Sequence, residues 1–319
     1  MNQTAVSLEK KEKIALPEIF VINTKKEYTI GEWMPIWFQI YSHVDLKDST
    51  ILIYKDAYRR LLVEYPEVNN ILLSDFSPIT FQMILNSLGE KYAKSTVRHI
   101  KLLFNKCYRC AIENKLCQEN PIKSSIVPKN ASEKIIEGLS SQEQKKLEDI
   151  LLELPAIDDF ILRFLLYTGL RRSEFLTLTW SDWDNKNGVL NIRESKTKNG
   201  IREVPLIPET SAILTFLKFQ REQAKTHSSY IFTKDDEPIS KYHLRHICSK
   251  ASKMAGIRHV SPHMLRHTCA TRLIESGADA KTVSDILGHK SVSFTLKTYV
   301  NIDREHKINQ MQLLSKGKF

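Results

Sequence analysis

The stretch SPHMLRH, residues 261–267, sets an imidazole and a guanidinium three positions apart. On a helix His263 and Arg266 would share one face. Ser261 followed by Pro262 marks a helix start, which puts His263 at the second helical position. Free backbone N–H groups and the positive end of the helix dipole lie there, so the group suits an anion. A capping histidine with a surface arginine fits the same seven residues. His267 follows His263 at a zinc-pair spacing, but the glutamate of H-E-x-x-H is absent and a metal is set aside.

Three further groups could do chemistry. In YTGLRRSEFLTLTW, residues 167–180, Arg171 follows a helix-ending Gly169 and Glu174 comes three residues later. Arginine grips a phosphate in bidentate fashion better than lysine does. An ordinary i, i+3 surface pair would look the same. In ESKTKNG, Lys196 lies at the mouth of a turn. It is either simply exposed, or its ammonium sits beside a leaving oxygen at a hairpin tip. In LGHKSVSFTLKTYV, residues 287–300, His289 precedes Tyr299 by ten positions. A phenol with a pKa near ~10 is mostly a packing group. Tyr299 is thus a core aromatic or a nucleophile.

The elements that must position these residues are mainly helical. TIGEWMPIWFQIY sets Trp33, Trp37 and Tyr41 on one helical stripe, and STILIYKDAYRRLLVEY follows a Ser49/Thr50 cap and stops before Pro66. SPITFQMILNSLG has serine as N-cap, proline in the first turn and glycine as its end. KSTVRHIKLLFNKCYRCAIENKL is the longest helix. Lys94, Arg98, Lys101 and Arg109 line its polar side, which is either a solvated face or a phosphate-contacting one. DFILRFLLYTG is an apolar helix ending at Gly169. Asn187-Gly188 and Asn199-Gly200 flank VLNIRES and predict a three-stranded antiparallel meander. The remainder reads as helical: SPHMLRHTCATRLIESG, DAKTVSDILG from an Asp279 cap, and a last helix carrying SFTLKTYV.

The fold class is therefore mainly α with a small antiparallel β-sheet (α+β). The organisation is a flexible arm over 1–27, a helical domain over 28–120, a linker over 121–132 and a second domain over 133–319. The prolines and serines of QENPIKSSIVPKNAS, 118–132, mark the connection. With 319 residues there is length for two cores, and a net charge of +10 suggests a polyanion partner, nucleic acid first. No apolar run approaches ~18 residues, so no transmembrane helix is expected. The N-terminus lacks a signal-peptide pattern, which points to the cytoplasm. Five cysteines without framework spacing argue against a disulfide scaffold. Cys107 and Cys110 form a C-x-x-C, but Cys107 falls on the helical stripe of Val97, Ile100, Phe104 and Ala111 and reads as core.

The pieces stand in the order Arg, Lys, His-x-x-Arg, Gly-His, Tyr. That order resembles the tyrosine recombinases, also called phage integrases. The family's TG-x-R-x-SE box stands here as TGLRRSE, its H-x-L-R-H-T as HMLRHT, and its LGH followed by tyrosine as LGHKSVSFTLKTY. The motifs span 168–299 and the resemblance covers about 130–319. The helical region resembles the family's core-binding (SAM-like) domain more loosely.

The resemblance implies that Arg171 and Arg266 bind the scissile phosphate and that His263 lies between them. It implies Lys196 as general acid, with Lys198 two residues away as the competing choice. His289 matches the second histidine, Tyr299 the nucleophile, and Glu174 a buttressing carboxylate. It implies cleavage and rejoining of double-stranded DNA through a 3′-phosphotyrosine, without ATP, metal or cofactor, in the cytoplasm on the nucleoid. Chains that are monomers or weak oligomers when free would form a homotetramer on two duplexes, with a tail at about 302–319 docking on a neighbour. Lys94, Arg98, Lys101 and Arg109 would contact DNA, and an accessory DNA-bending or directionality protein is a further expected partner. The favoured role is the integrase of a phage or mobile element. The alternatives are a Xer-type resolvase of chromosome dimers, a type IB topoisomerase-like enzyme, and a non-cleaving architectural protein.

Overall fold

The computed structural model describes residues 26–133, 137–193 and 200–288. The chain divides into two compact units, residues 1–134 and 135–319.

The first unit is helical: α1 Ile30–Ile40, α2 Ser42–Asp45, α3 Asp48–Glu64, α4 Pro78–Lys91 and α5 Lys94–Glu113. Thr29 starts α1 with a reciprocal capping box: its hydroxyl accepts the Glu32 N–H, and the Glu32 carboxylate accepts the Thr29 N–H. The apolar stripes of these helices close on an aromatic core. Phe81 and Phe104 stack at 5.3 Å between centroids, and Trp33 donates from Nε1 to the Cys107 carbonyl. Cys107 is 1% exposed, a core residue as its stripe implied, and burial pushes its thiol well up.

Two helix ends differ from the sequence reading. α3 starts at Asp48, so Ser49 and Thr50 sit inside its first turn rather than capping it. α4 runs through Gly89 to Lys91. Gly89 there allows close approach rather than termination, since a Cβ on it would lie 3.2 Å from Pro128. The proline-rich stretch that follows α5 packs against this unit, with Ile122 fully buried and the Lys101 ammonium bonded to the Ser125 carbonyl.

The second unit holds α6 Ser141–Leu151, α7 Ala156–Thr168, α8 Arg172–Leu176, α9 Pro208–Ala224, α10 Lys241–Met254, α11 Pro262–Glu275 and α12 Ala280–Leu287. Strands β1 Trp183–Asp184, β2 Val189–Ile192 and β3 Arg202–Pro205 form the expected antiparallel meander in the order β1-β2-β3. Leu190 pairs with Val204, both buried, and Ile192 pairs with Arg202. The segment between α9 and α10, expected to be helical, instead forms a hairpin of β4 Thr233–Lys234 and β5 Glu237–Pro238. Asp235 and Asp236 both take positive φ at its turn, a job the sequence reading looked for only in Asn-Gly pairs.

The core of this unit gathers α7, α10 and α11 around Phe164, Phe175 and Phe232, with ring centroids 4.6–4.9 Å apart. Ser261 caps α11 and Asp279 caps α12, as read. Among the described residues no helix is long and apolar enough to cross a membrane.

Candidate active site

Gly169 ends α7 in the left-handed region, at φ 61°. The turn it allows brings Arg171 to the N-terminus of α8. The first turn of α8 then carries Glu174 back over that terminus: its Oε2 accepts the Arg171 N–H at 2.9 Å, while Arg171 Nη1 donates to Oε1 at 2.6 Å. The i, i+3 pair is therefore real, but it is not a surface pair, because the Glu174 side chain is 1% exposed.

Arg202 on β3 grips the same carboxylate from the other side. Its Nη1 and Nη2 donate to Oε1 and Oε2 at 3.2 and 3.1 Å. Glu174 thus accepts four bonds, which fills a carboxylate's capacity. Burial would push Glu174 up; the bonds from Arg202 and then Arg171 outweigh it and hold the group below the ordinary carboxylate range.

Arg266, the fifth residue of α11, is buried. Nη1 donates to the Gly169 carbonyl at 2.8 Å and Nη2 to the Leu287 carbonyl at 2.5 Å. Burial, then the charges of Arg171 and Arg202, push its guanidinium down to about 9. A nearby anion would reverse that push.

The C-terminus of α12 ties the cluster together. Arg202 Nε donates to the Ile286 carbonyl at 2.6 Å, Arg266 to Leu287, and Arg171 Nη2 to Gly288. Three successive carbonyls that an α-helix leaves unpaired each take a different arginine, at the negative end of the helix dipole. Gly288 closes α12 at φ 67°.

The structure thus brings together Arg171, Glu174 and Arg266 of the expected site. His263 is exposed one turn before Arg266 on α11. His267, half-buried on the same helix, is pushed down by burial and then by the charges of Arg266 and His263. Lys196, Lys198, His289 and Tyr299 lie outside the described residues. Their anchors are nonetheless at the cluster: β3 begins at Arg202 and α12 ends just before His289.

Of the four basic residues on α5, Arg98 and Arg109 are exposed. Lys94 is half-buried and pairs with Glu133 at 3.5 Å, and Lys101 holds the Ser125 carbonyl, so both also serve the fold. The residue the sequence reading missed is Arg202. Its signal was there: it shares the buried face of β3 with Val204. An arginine on that face needs a partner.

Among the described glycines, Gly169 has the tightest surroundings. A Cβ there would lie 2.5 Å from Leu287 Cδ2 and 3.1 Å from Cys269 Sγ. Gly169→Ala is expected to cost about 2–5 kcal/mol from the left-handed backbone and overpacking together. The melting temperature should fall by roughly 5–15 °C. An unchanged melting temperature would refute this fit.

The arrangement belongs to a known class. The family model described as the phage integrase family matches residues 137–306, and the chain belongs to that family. It is 30% identical to tyrosine recombinase XerC of Listeria innocua, over 84% of this chain and 91% of that protein. It is 27% identical to a tyrosine recombinase XerC-like protein of Caldanaerobacter subterraneus subsp. tengcongensis, over 91% of this chain and 83% of that one. Its fold is similar to the Tn1549 transposon integrase in complex with circular-intermediate DNA, at TM-score 0.72 and 20% identity, covering 90% of this chain and 99% of that chain. It is likewise similar to a lambda integrase dimer bound to a core site, at TM-score 0.70 and 21% identity, covering 89% and 80%.

Proposed function

We propose that this chain is a site-specific DNA recombinase, the integrase of a phage or mobile element, which breaks and rejoins DNA strands through a 3′-phosphotyrosine. One observation carries the reading: three guanidiniums converge around one carboxylate, at the root of the segments that bear Lys196, His289 and Tyr299. Among the described residues the cluster sets three guanidiniums against one carboxylate, a positive surplus that an entering phosphate would neutralise.

In the proposed reaction the Tyr299 oxygen attacks the scissile phosphorus and loses its proton to His263. Arg171 and Arg266 stabilise the charge that builds on the non-bridging oxygens, with His289 beside them. The 5′-oxygen leaves as a hydroxyl with a proton from Lys196. The phosphotyrosine keeps the energy of the broken bond, so a second 5′-hydroxyl can reverse the attack without ATP. Duplex binding runs mainly through phosphates, with Arg98 and Arg109 the exposed candidates on α5. Assembly as a tetramer on two duplexes, through the tail at about 302–319, completes the proposal. The XerC relatives favour a second role for the same chemistry, resolution of chromosome dimers.

The test is covalent trapping on a suicide substrate that carries the DNA flanking the native insertion, in chelator. The expected result is a denaturation-resistant adduct whose modified peptide contains Tyr299. Tight binding with no adduct, on this DNA and on a Xer-type site, would instead favour an architectural protein.

A further inference from the structure

We infer that Arg202 is a positioning residue for strand cleavage, fixing Glu174 and the end of α12 so that Arg171 meets the phosphate in one orientation. The inference rests on the recombinase reading above and adds a residue to it.

Arg202 cannot itself serve as the main phosphate grip. A guanidinium has five N–H donors. Arg202 commits four: one to Ile286, one to Gly200 and two to Glu174. Its side chain is 6% exposed. Arg171 is different: its side chain is 22% exposed, and among the described residues its guanidinium makes two bonds, to Glu174 and Gly288. Donors therefore remain on Arg171 for a ligand.

The link between the two is geometric. Arg202 spans both oxygens of Glu174, and those same oxygens hold the backbone and the guanidinium of Arg171. Without Arg202 the carboxylate could rotate away from Arg171. The Nε bond to Ile286 also fixes the point from which the chain leaves toward His289 and Tyr299. A single side chain thus sets the orientation of the phosphate grip and the origin of the nucleophile's segment. Displacing reacting groups by about an ångström can cost 10²-fold in rate without any direct contact.

Charge gives a readout that mere scaffolding would not move. Among the described residues, the charged groups facing Glu174 are Arg171 at the N-cap of α8, Arg202 from β3 and Arg266 from α11. Arg202 is the largest of the influences that lower its pKa. Removing that charge moves the Glu174 pKa up. As pH falls, the carboxylate would then protonate earlier and release Arg171 at a higher pH.

The experiment measures single-turnover cleavage of a suicide substrate against pH for wild type, Arg202→Gln and Arg202→Lys. DNA affinity, melting temperature and the ¹³C carboxyl titration of Glu174 are measured alongside. Arg202→Gln is expected to cleave about 10- to 100-fold more slowly. DNA affinity should stay close to wild type, and the acid limb should shift to higher pH. Arg202→Lys keeps the charge but loses the fork, so it should recover part of the rate and most of the pH shift. If Arg202→Gln fails to fold, the partial loss in Arg202→Lys decides. Wild-type rates in the folded variants would overturn the inference, and so would a rate loss matched by lost DNA affinity. Should wild type form no adduct, the recombinase reading fails. The Glu174 titration then still decides the positioning claim: an unmoved carboxylate overturns it, and an upward shift supports it.

Discussion

A Tyr299→Phe chain is expected to bind its DNA site as wild type does and to form no covalent adduct at all. The substitution deletes only the oxygen that would bond to phosphorus and keeps the ring. Among the described residues near Gly169, Cys269 and Tyr167 are poorly suited to replace it. Cys269 is 7% exposed, its thiol is pushed up to about 12 by burial, and it points at the Tyr167 carbonyl at 3.6 Å. Tyr167 is likewise pushed up to about 12, by burial and by its bond to Glu148 at 2.9 Å. Neither becomes an anion easily near neutral pH. An adduct that survived in Tyr299→Phe would overturn the assignment and send the search back to these two groups. Gel analysis after denaturation, with a binding assay on intact DNA, separates loss of chemistry from loss of affinity.

Arg266→Ala should slow cleavage by about 10³-fold. Preorganised donors aimed at developing charge are worth 10²–10³ each, and an arginine on a transferring phosphoryl group as much or more. The variant also strips the Gly169 and Leu287 carbonyls of their donor. Each buried group left unpaired costs ~1–3 kcal/mol, so the unit should lose stability as well. Arg266→Lys tells the two apart. It restores a charge but cannot reach two carbonyls and a phosphate together. We expect Arg266→Lys to regain stability while remaining at least tenfold slow. A single-turnover rate within twofold of wild type in either variant would remove Arg266 from the phosphate grip.

Much of this architecture is written locally. The Ser77, Ser261 and Asp279 caps and the left-handed Gly169 and Gly288 fall where side-chain chemistry puts them. These signals act within one turn, so a sequence carries them whole. The misreadings have the opposite character. Gly89 looks like a stop because its role depends on Pro128, far away in sequence. The β4–β5 hairpin hides because two aspartates make its turn. Ser49 and Thr50 lost the cap to a start at Asp48.

The site divides in the same way. The meeting of Arg171, Glu174 and Arg266 was legible because their spacing within short motifs resembles a family pattern. What spacing could not reveal is that Glu174 is shared. Its second arginine comes from a strand 28 residues on, and only the paired register of β2 and β3 delivers it.

The anchors of the arginine cluster at α12 are peptide carbonyls, and no substitution can delete a peptide carbonyl. This divides the mutational landscape of the site unevenly. The arginines and Glu174 act through their side chains, so replacements there break the cluster's bonds. Ile286, which offers only its backbone to Arg202 and is half-buried, can drift among apolar types at little cost. Gly169 and Gly288 cannot drift, because their value lies in backbone shape. Descendants of this chain can therefore alter the side chains on α12 while the arginine cluster stays anchored to its carbonyls. A site anchored this way separates what it holds in place from what its helix shows to the outside.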